Sequence, residues 1–401
     1  MVLSKFNNAD RNFILRDKCC GCSACIQICP QQCISFHEDE EGFKYPITDF
    51  TTCTNCDLCK KVCPVTNTTN HVKKDPIIVL AAQNKNDYIV ENSSSGGIFS
   101  ILAEKTLSQN GIVYGAAFDK NWEVHHIGIE HIQELEQLRT SKYIQSDTST
   151  AYISVKKFLD QNRKVLFSGT PCQISGLTHF LRKDYPNLIT LDIVCHGVPS
   201  SIIWRRHLQD ISSDKKFRDQ QIVTINFRDK REYGWKDFSL SINYTHEQYS
   251  CNHHKDAFMN LFLKNMCLRP CCYNCQFKKN NSGADITLGD FWGIDKLFPN
   301  IDNNKGTSLV IVNTSKGNAF LDTENIIYKS VSLDNAILHN PAYTTSVTLP
   351  KKRGRIFREL KRSPKTLHEF SNDFLRPPFL FQVVLKLKSI THAVITAIHK
   401  R

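Results

Sequence analysis

The residues best placed to do chemistry are cysteines. Of the 17 in 401 residues, ten fall within Cys19–Cys63 and five within Cys251–Cys275. The first group is a repeat. Cys19-x2-Cys22-x2-Cys25-x3-Cys29-Pro30 is matched by Cys53-x2-Cys56-x2-Cys59-x3-Cys63-Pro64. Two x2 spacings wrap a tight loop around three corners of an iron–sulfur cubane, and a fourth thiolate must come from elsewhere. Zinc also accepts four thiolates. Two complete repeats, each closing on Cys-Pro, favour the cubane.

This spacing is the bacterial two-cluster ferredoxin run, in which the fourth cysteine of each motif ligates the other cluster. One [4Fe–4S] cluster is therefore expected on Cys19, Cys22, Cys25 and Cys63, the other on Cys53, Cys56, Cys59 and Cys29. Gly21 would let the backbone pass close to its cluster, and Pro30 and Pro64 end each turn. Cys20 and Cys33 lie outside the pattern and read as bystanders. Two such clusters move single electrons and make no bonds, so the rest of the chain must hold an electron source, a sink, or both.

The elements that would position this chemistry follow from the hydrophobic pattern. Residues 1–66 form a ferredoxin-like two-cluster domain, and Thr66–Asn70 with Lys73–Pro76 read as a linker. Strand and helix signals then alternate: strand Ile77–Ala82, helix Ile98 to Gln109 after a Ser-rich N-cap stretch, strand Ile112–Phe118, helix Ala151–Asp160, strand Lys164–Phe167, a helix from Gln173, strand Leu188–Val194 and helix Ser200–Leu208. This rhythm predicts an α/β part over 77–210 with a partly parallel sheet. The strand-rich stretch over 211–345 (Ile222–Phe227, Phe238–Tyr244, Ile286–Leu288, Leu309–Val312) predicts an α+β continuation of the same body.

Charge separates the tail from that body. The net charge is +12, and residues 351–401 carry 13 Lys or Arg against 3 Asp or Glu. The basic character thus belongs to residues 346–401, where Leu380, Val383, Val384, Leu387, Val394 and Ile398 fall roughly on one helical face. Two readings stay open: a solvated C-terminal helix packed on the body, or a peripheral contact with an anionic membrane. No nucleic-acid module is present to use the charge. Met1–Lys18 has no apolar core of about 7–15 residues, so no secretory signal is expected. No run of about 18 uncharged apolar residues predicts a membrane span. Without export, clustered cysteines bind metal rather than pair as disulfides, and the chain is expected to be cytoplasmic.

Four junctions in the body are rich in small and polar residues: Ser94-Ser95-Gly96-Gly97, Arg139–Tyr143, Ser168–Gln173 and Cys195–Pro199. In an open α/β sheet ligands sit at the carboxyl ends of strands, where helix N-termini offer N–H groups to anions. A phosphate-bearing cofactor fits several such junctions in one domain. The order of these motifs, followed by Cys267…Cys272-x2-Cys275 and Leu288-Gly-Asp-Phe-Trp-Gly293, resembles the coenzyme F420 hydrogenase/dehydrogenase beta-subunit family over about residues 15–300. Members of that family are iron–sulfur flavoproteins with an α/β fold, FAD and an additional cluster near the flavin.

The resemblance implies that Ser95, Gly96 and Gly97 contact flavin phosphates, and that Ser141, Lys142 and Tyr143 line the same cofactor. It further implies that Thr170, Pro171 and Gln173 approach the isoalloxazine, and that Gly289 and Asp290 close the pocket. A third [4Fe–4S] cluster would use Cys267, Cys272 and Cys275, with Cys195 or Cys172 completing it. Cys271 beside Cys272 departs from the family pattern. Cys251, His253 and His254 read as incidental, and His196 as a structural histidine or an acid near substrate.

A flavin trades hydride pairs while cubanes carry single electrons. The expected protein is therefore an iron–sulfur flavoprotein oxidoreductase linking a ferredoxin-like partner to a small organic substrate or hydride carrier, in either direction. No nickel site is evident. The alternative is an electron-transfer adaptor between partner proteins with no substrate of its own.

Overall fold

The structure is a computed structural model, and it describes residues 14–67 and 76–376. The N-terminal unit is a hairpin of β1 (Ile34–Glu38) and β2 (Lys44–Thr48), flanked by two one-turn helices, Ala24–Gln27 and Leu58–Lys61. Each of these helices follows the first two cysteines of one repeat.

The body holds two further sheets. Their strands are β3 (Ile78–Asn84), β4 (Ile112–Phe118), β5 (Val124–Ile129), β6 (Val165–Gly169), β7 (Leu188–Ile193), β8 (Ile222–Asp229), β9 (Ser239–Tyr244), β10 (Gln248–Asn252), β11 (Ile286–Asp290), β12 (Ser308–Val312) and β13 (Ile326–Ser330). The large sheet has eight strands in the order β13-β3-β12-β11-β7-β6-β4-β5, and β8, β9 and β10 form a separate antiparallel sheet. The centre of the large sheet, β4-β6-β7-β11, is parallel. Strands β12, β3 and β13 add antiparallel neighbours on one side and β5 on the other. The result is a mixed α/β fold in which β11 and β12 enter the sheet between β7 and β3.

Alternation along the strands explains why both faces are covered. In β4, Ile112 and Tyr114 pack with Ala151, Tyr152 and Leu177 of the helices Ala151–Asp160 and Pro171–Leu181. Val113 and Ala117 face Ile98 and Leu102 of the helix Ile98–Ser108. A period of two therefore separates the layers. A second core, built on Trp204, Phe227, Phe258 and Phe262, joins the three-stranded sheet to the helices Ser201–Ser212 and Ala257–Leu263.

The helices begin where local chemistry dictates, with one departure from expectation. Pro171–Leu181 starts two residues ahead of the predicted Gln173. Thr170 and Gln173 form a capping box around it, with Pro171 at the first helical position. The serines before Ile98, by contrast, do not cap that helix. Gly97 occupies the cap position at φ +79°, and the serine hydroxyls are committed elsewhere: Ser93 donates to Ile89 O (2.6 Å) and Ser95 to Thr307 O (2.9 Å).

Among the described residues, no helix is long and apolar enough to cross a membrane. The described part of the basic region folds as the helices Arg353–Arg362 and Leu367–Leu375, which place Ile356, Leu360, Leu367, Phe370 and Phe374 in the aromatic core. The stripe from Leu380 to Ile398 lies outside the described residues.

Candidate redox site

The two ferredoxin-type cysteine sets differ in depth. Cys19, Cys22, Cys25 and Cys63 are all buried, whereas Cys29, Cys53 and Cys59 are half-buried and Cys56 is exposed. The fold therefore has an inner and an outer set. Two of the thiols have sulfur neighbours from both motifs. Burial pushes the Cys25 thiol well up, and the Cys19, Cys63 and Cys59 sulfurs near it add to the effect. The Cys59 thiol is also raised by burial, with Cys29 and Cys53 as its sulfur neighbours. Cys33 sits beside the outer set, its Sγ 3.4 Å from that of Cys29.

Spacing separates a cubane from a single zinc. Tetrahedral Zn–S bonds of about 2.3 Å would bring the sulfurs within about 3.8 Å of one another. Among the described residues, one set of three metal-ligating side chains closes to within 4.8 Å, namely Asp237, His253 and His254. No three of the described cysteine sulfurs do so. No cysteine triad among the described residues is thus closed to the spacing of a tetrahedral zinc.

A third group of cysteines meets at the carboxyl edge of the large sheet. Cys172 follows β6 at the second position of its helix, Cys195 follows β7, and Cys272 and Cys275 come from the turn over 270–275. Their thiols are mutual neighbours: that of Cys195 is raised by burial and by Cys272, Cys172 and Cys275. Both residues proposed as the fourth ligand are thus present together. Cys267 is not with them. It is fully buried in the aromatic core, its closest interactions being with Ser200 and the Arg353 charge. Its spacing to Cys272 resembled a ligand run, but the chain between them turns Cys267 inward.

The supposed bystander Cys20 lies between the inner set and this third group. Its buried thiol pairs with both Cys172 and Cys22. Nothing in the spacing pattern signals this, because the contact crosses about 150 residues of sequence.

These thiols line one side of a cavity of about 780 Å³ that also receives Ser95, Gly97, Ser141, Lys142, Tyr143, Thr170, Pro171, Gln173, Gly289 and Asp290. Gly96 is the exception among the expected residues. A Cβ there would meet Ala82 O at 2.4 Å and Ser308 N at 2.8 Å, so this glycine serves the close approach of the turn to β3 and β12. The turn is wired on both sides: Gly96 N donates to Ser308 Oγ (2.9 Å), and Ser141 N donates to Ser94 Oγ (2.7 Å).

The remaining side chains divide into engaged and available groups. Gln173 is engaged: its Oε1 accepts from Thr170 N (3.0 Å) and its Nε2 donates to Ser146 O (2.9 Å). Tyr143 packs against Phe227 and Phe262, at the boundary of the aromatic core. Asp290 pairs with Arg228 at 3.0 Å and accepts from Trp235 Nε1 at 3.1 Å. Lys142 donates to Arg139 O at 2.7 Å, but burial lowers its pKa to about 7. An anion entering the cavity would complete its charge.

Two further cavity residues were missed in the sequence. His126 donates from Nε2 to Ser168 O (2.9 Å) and accepts at Nδ1 from Ser146 Oγ (2.7 Å), and burial lowers it to about 4. Asp192 is raised to about 6 by burial. Its Oδ2 accepts from Ser282 (2.6 Å), and the Thr287 hydroxyl also steadies the carboxylate. His196 packs edge-on against Phe262 with Asn265 beside its ring, and burial lowers its pKa.

Comparison with known proteins agrees with the motifs. Residues 162–333 match the family described as the C terminus of the coenzyme F420 hydrogenase/dehydrogenase beta subunit, and residues 18–67 match the 4Fe-4S dicluster domain. An uncharacterized ferredoxin of Methanocaldococcus jannaschii is 41% identical over 49 residues, which is 12% of this chain and 62% of that protein. The chain therefore spans less than two thirds of that relative. The F420-reducing [NiFe] hydrogenase complex of Methanosarcina barkeri, solved as a xenon derivative, contains a chain that aligns at TM-score 0.45 and 16% identity, over 72% of this chain and 92% of that one.

Proposed function

From a chain that joins a 4Fe-4S dicluster domain to a coenzyme F420 hydrogenase/dehydrogenase beta-subunit region, we propose an iron–sulfur flavoprotein oxidoreductase. It passes electrons between a ferredoxin-like partner and a small organic substrate or hydride carrier. The observation that carries this reading is one cavity with two kinds of wall. A thiol group at Cys172, Cys195, Cys272 and Cys275 lines one part, and Ser95 and Gly97 with Lys142 line another.

The third cubane belongs on those four cysteines, and Lys278, which donates to Cys195 O at 2.6 Å, brings a positive charge beside them. FAD suits the remainder of the cavity. The start of the helix Ile98–Ser108 would hold its phosphates, and Thr170, Pro171, Gly289 and Asp290 would frame the ring. When bound, the flavin would exchange electrons in pairs with a substrate, and the cubanes would relay them singly. The chain's own work is to bind and orient these groups, to exclude water with the buried walls, and to hold Asp192 as a carboxyl able to gain or lose a proton near neutrality.

The test is the cofactor inventory of anaerobically purified protein, together with turnover under reduced ferredoxin. About twelve irons per chain plus releasable FAD supports the proposal, and about eight irons leaves only the N-terminal pair. FAD with no small-molecule conversion would turn the reading to an adaptor between proteins. A colourless, zinc-loaded preparation would overturn it.

A further inference from the structure

Three arginines are buried among the described residues: Arg228, Arg269 and Arg353. Two have carboxylate partners, Asp290 for Arg228 and Glu41 for Arg353. Arg269 has none, although it is fully buried. Its guanidinium donates from Nε to Cys19 O (2.7 Å), from Nη1 to Gln145 Oε1 (3.0 Å), and from Nη2 to Lys44 O (2.9 Å) and Cys19 Sγ (3.7 Å). Tyr45 lies beneath it, the ring centroid 4.4 Å from Cζ. The ionisable groups that act on it are the Cys19, Cys271 and Cys20 thiols and the Tyr45 phenol.

An arginine keeps its proton in a protein, and a buried charge without a counter-charge is costly. The fold nevertheless builds a place for it. Gly21, at φ +70°, leaves the space: a Cβ there would meet Gln145 Nε2 at 2.6 Å and Arg269 Nη1 at 3.0 Å. Gln145 is itself held, donating from Nε2 to Cys20 O at 3.1 Å. The Arg269 backbone is fixed from both sides, donating to Val198 O and accepting from Cys272 N, each at 2.9 Å. All neighbouring acceptors are neutral except sulfur. A cubane on four thiolates is a net anion, and its negative charge grows by one when it takes an electron.

We infer that Arg269 is the built-in counter-charge of the inner cluster on Cys19, Cys22, Cys25 and Cys63, and that it raises that cluster's reduction potential. Arg269 is a tuning and positioning residue and makes no bond to a reacting atom. The inference rests on the ferredoxin-type placement of those four cysteines and is independent of the flavin and of the third cluster. Because Arg269 begins the segment that carries Cys271 and Cys272, the same charge ties the inner cluster to the thiol group of the body.

The experiment compares Arg269→Lys and Arg269→Gln with wild type in the anaerobically purified full chain. Iron and sulfide are counted, and each cluster is titrated by EPR-monitored reduction, the inner signal being the one lost in Cys22→Ser. The expected result is that Arg269→Lys loads and keeps the inner potential. In Arg269→Gln, reduction of the inner cluster weakens about tenfold or more, which is about 59 mV for one electron, and the outer signal does not move. Loading by the lysine variant together with loss of the inner cluster in the glutamine variant also supports the role of charge. The inference is overturned if both variants lose iron alike, if both shift alike, or if Arg269→Gln leaves the potential unchanged. A wild type without iron on these cysteines overturns both this inference and the ferredoxin reading, and its iron count reveals that before any variant is made.

Discussion

Arg228 Nη1 stands 3.0 Å from Asp290 Oδ2, with the arginine side chain 3% exposed and the aspartate 19%. Asp290 lines the cavity, but its carboxylate is already committed to neutralising a buried cation. Asp290→Asn is expected to lower unfolding stability by about 3 kcal/mol, because it leaves the guanidinium uncompensated. Denaturant titration of the variant measures this. A stability unchanged within about 0.5 kcal/mol would mean that the pair contributes nothing.

The depth of Cys267 sets a contrast among the cysteines of the body. Cys267→Ala should retain the full iron complement and lose only packing, about 1 kcal/mol. Cys172→Ser or Cys195→Ser should each reduce iron by about four atoms per chain, if those thiols hold the third cluster. Parallel iron and sulfide analysis of the three proteins decides the point.

Lys142 carries a pH signature. Burial lowers it to about 7, and a bound phosphate would raise it again. Above about pH 7, binding an anion must therefore take up a proton, and affinity should fall by as much as about tenfold per pH unit. Flavin release followed by fluorescence from pH 6.5 to 8.5 measures the slope. Lys142→Met should bind more weakly and flatten it.

His126 gives the opposite kind of dependence, one of stability. Its folded pKa of about 4 lies below the ordinary value of about 6.5, so acid protonates the unfolded chain first. Its contribution is complete above about pH 6.5 and is lost as pH falls toward about 4, for a total of about 3 kcal/mol. The difference in stability between pH 7 and pH 5 should shrink in His126→Asn, as read by denaturant unfolding at both values.

Gly176 lets the helix Pro171–Leu181 lie against the inner cysteine loop. An added Cβ would meet Cys22 Cβ and Sγ, each at 2.9 Å, and Tyr152 Oη at 3.0 Å. Gly176→Ala should cost about 1–3 kcal/mol through overpacking and perturb the visible spectrum of the inner cluster. An unaltered spectrum with unaltered stability would show that the two elements have room to part.

The repeat of Cys19–Cys63 was legible because its spacing is local, and so were the central strands, whose apolar runs carry their own period. Partners distant in sequence were not. Strand β12 reads as a strand from Leu309–Val312 alone, yet nothing local says that it lies between β11 and β3. The same limit hid His126, which reaches the cavity only because β5 pairs with β4. Cys20 looked surplus by spacing, since its relation to Cys172 exists only once the N-terminal loop docks on the helix Pro171–Leu181. Gly96 and Ser95 were placed correctly at a turn, but their composition suited a ligand contact and a brace equally well. Arg269 offered no signal at all, because an arginine before Pro-Cys-Cys looks like a surface residue until its burial is seen.

The graded depth of the N-terminal cysteines imposes an order of damage. With Cys56 at the surface and Cys22 enclosed, oxygen or a chelator reaches the outer thiolates first. Under the proposed reading, exposure to air should therefore strip the outer iron while the deeper iron survives. Colour alone would then be a poor witness to an intact protein.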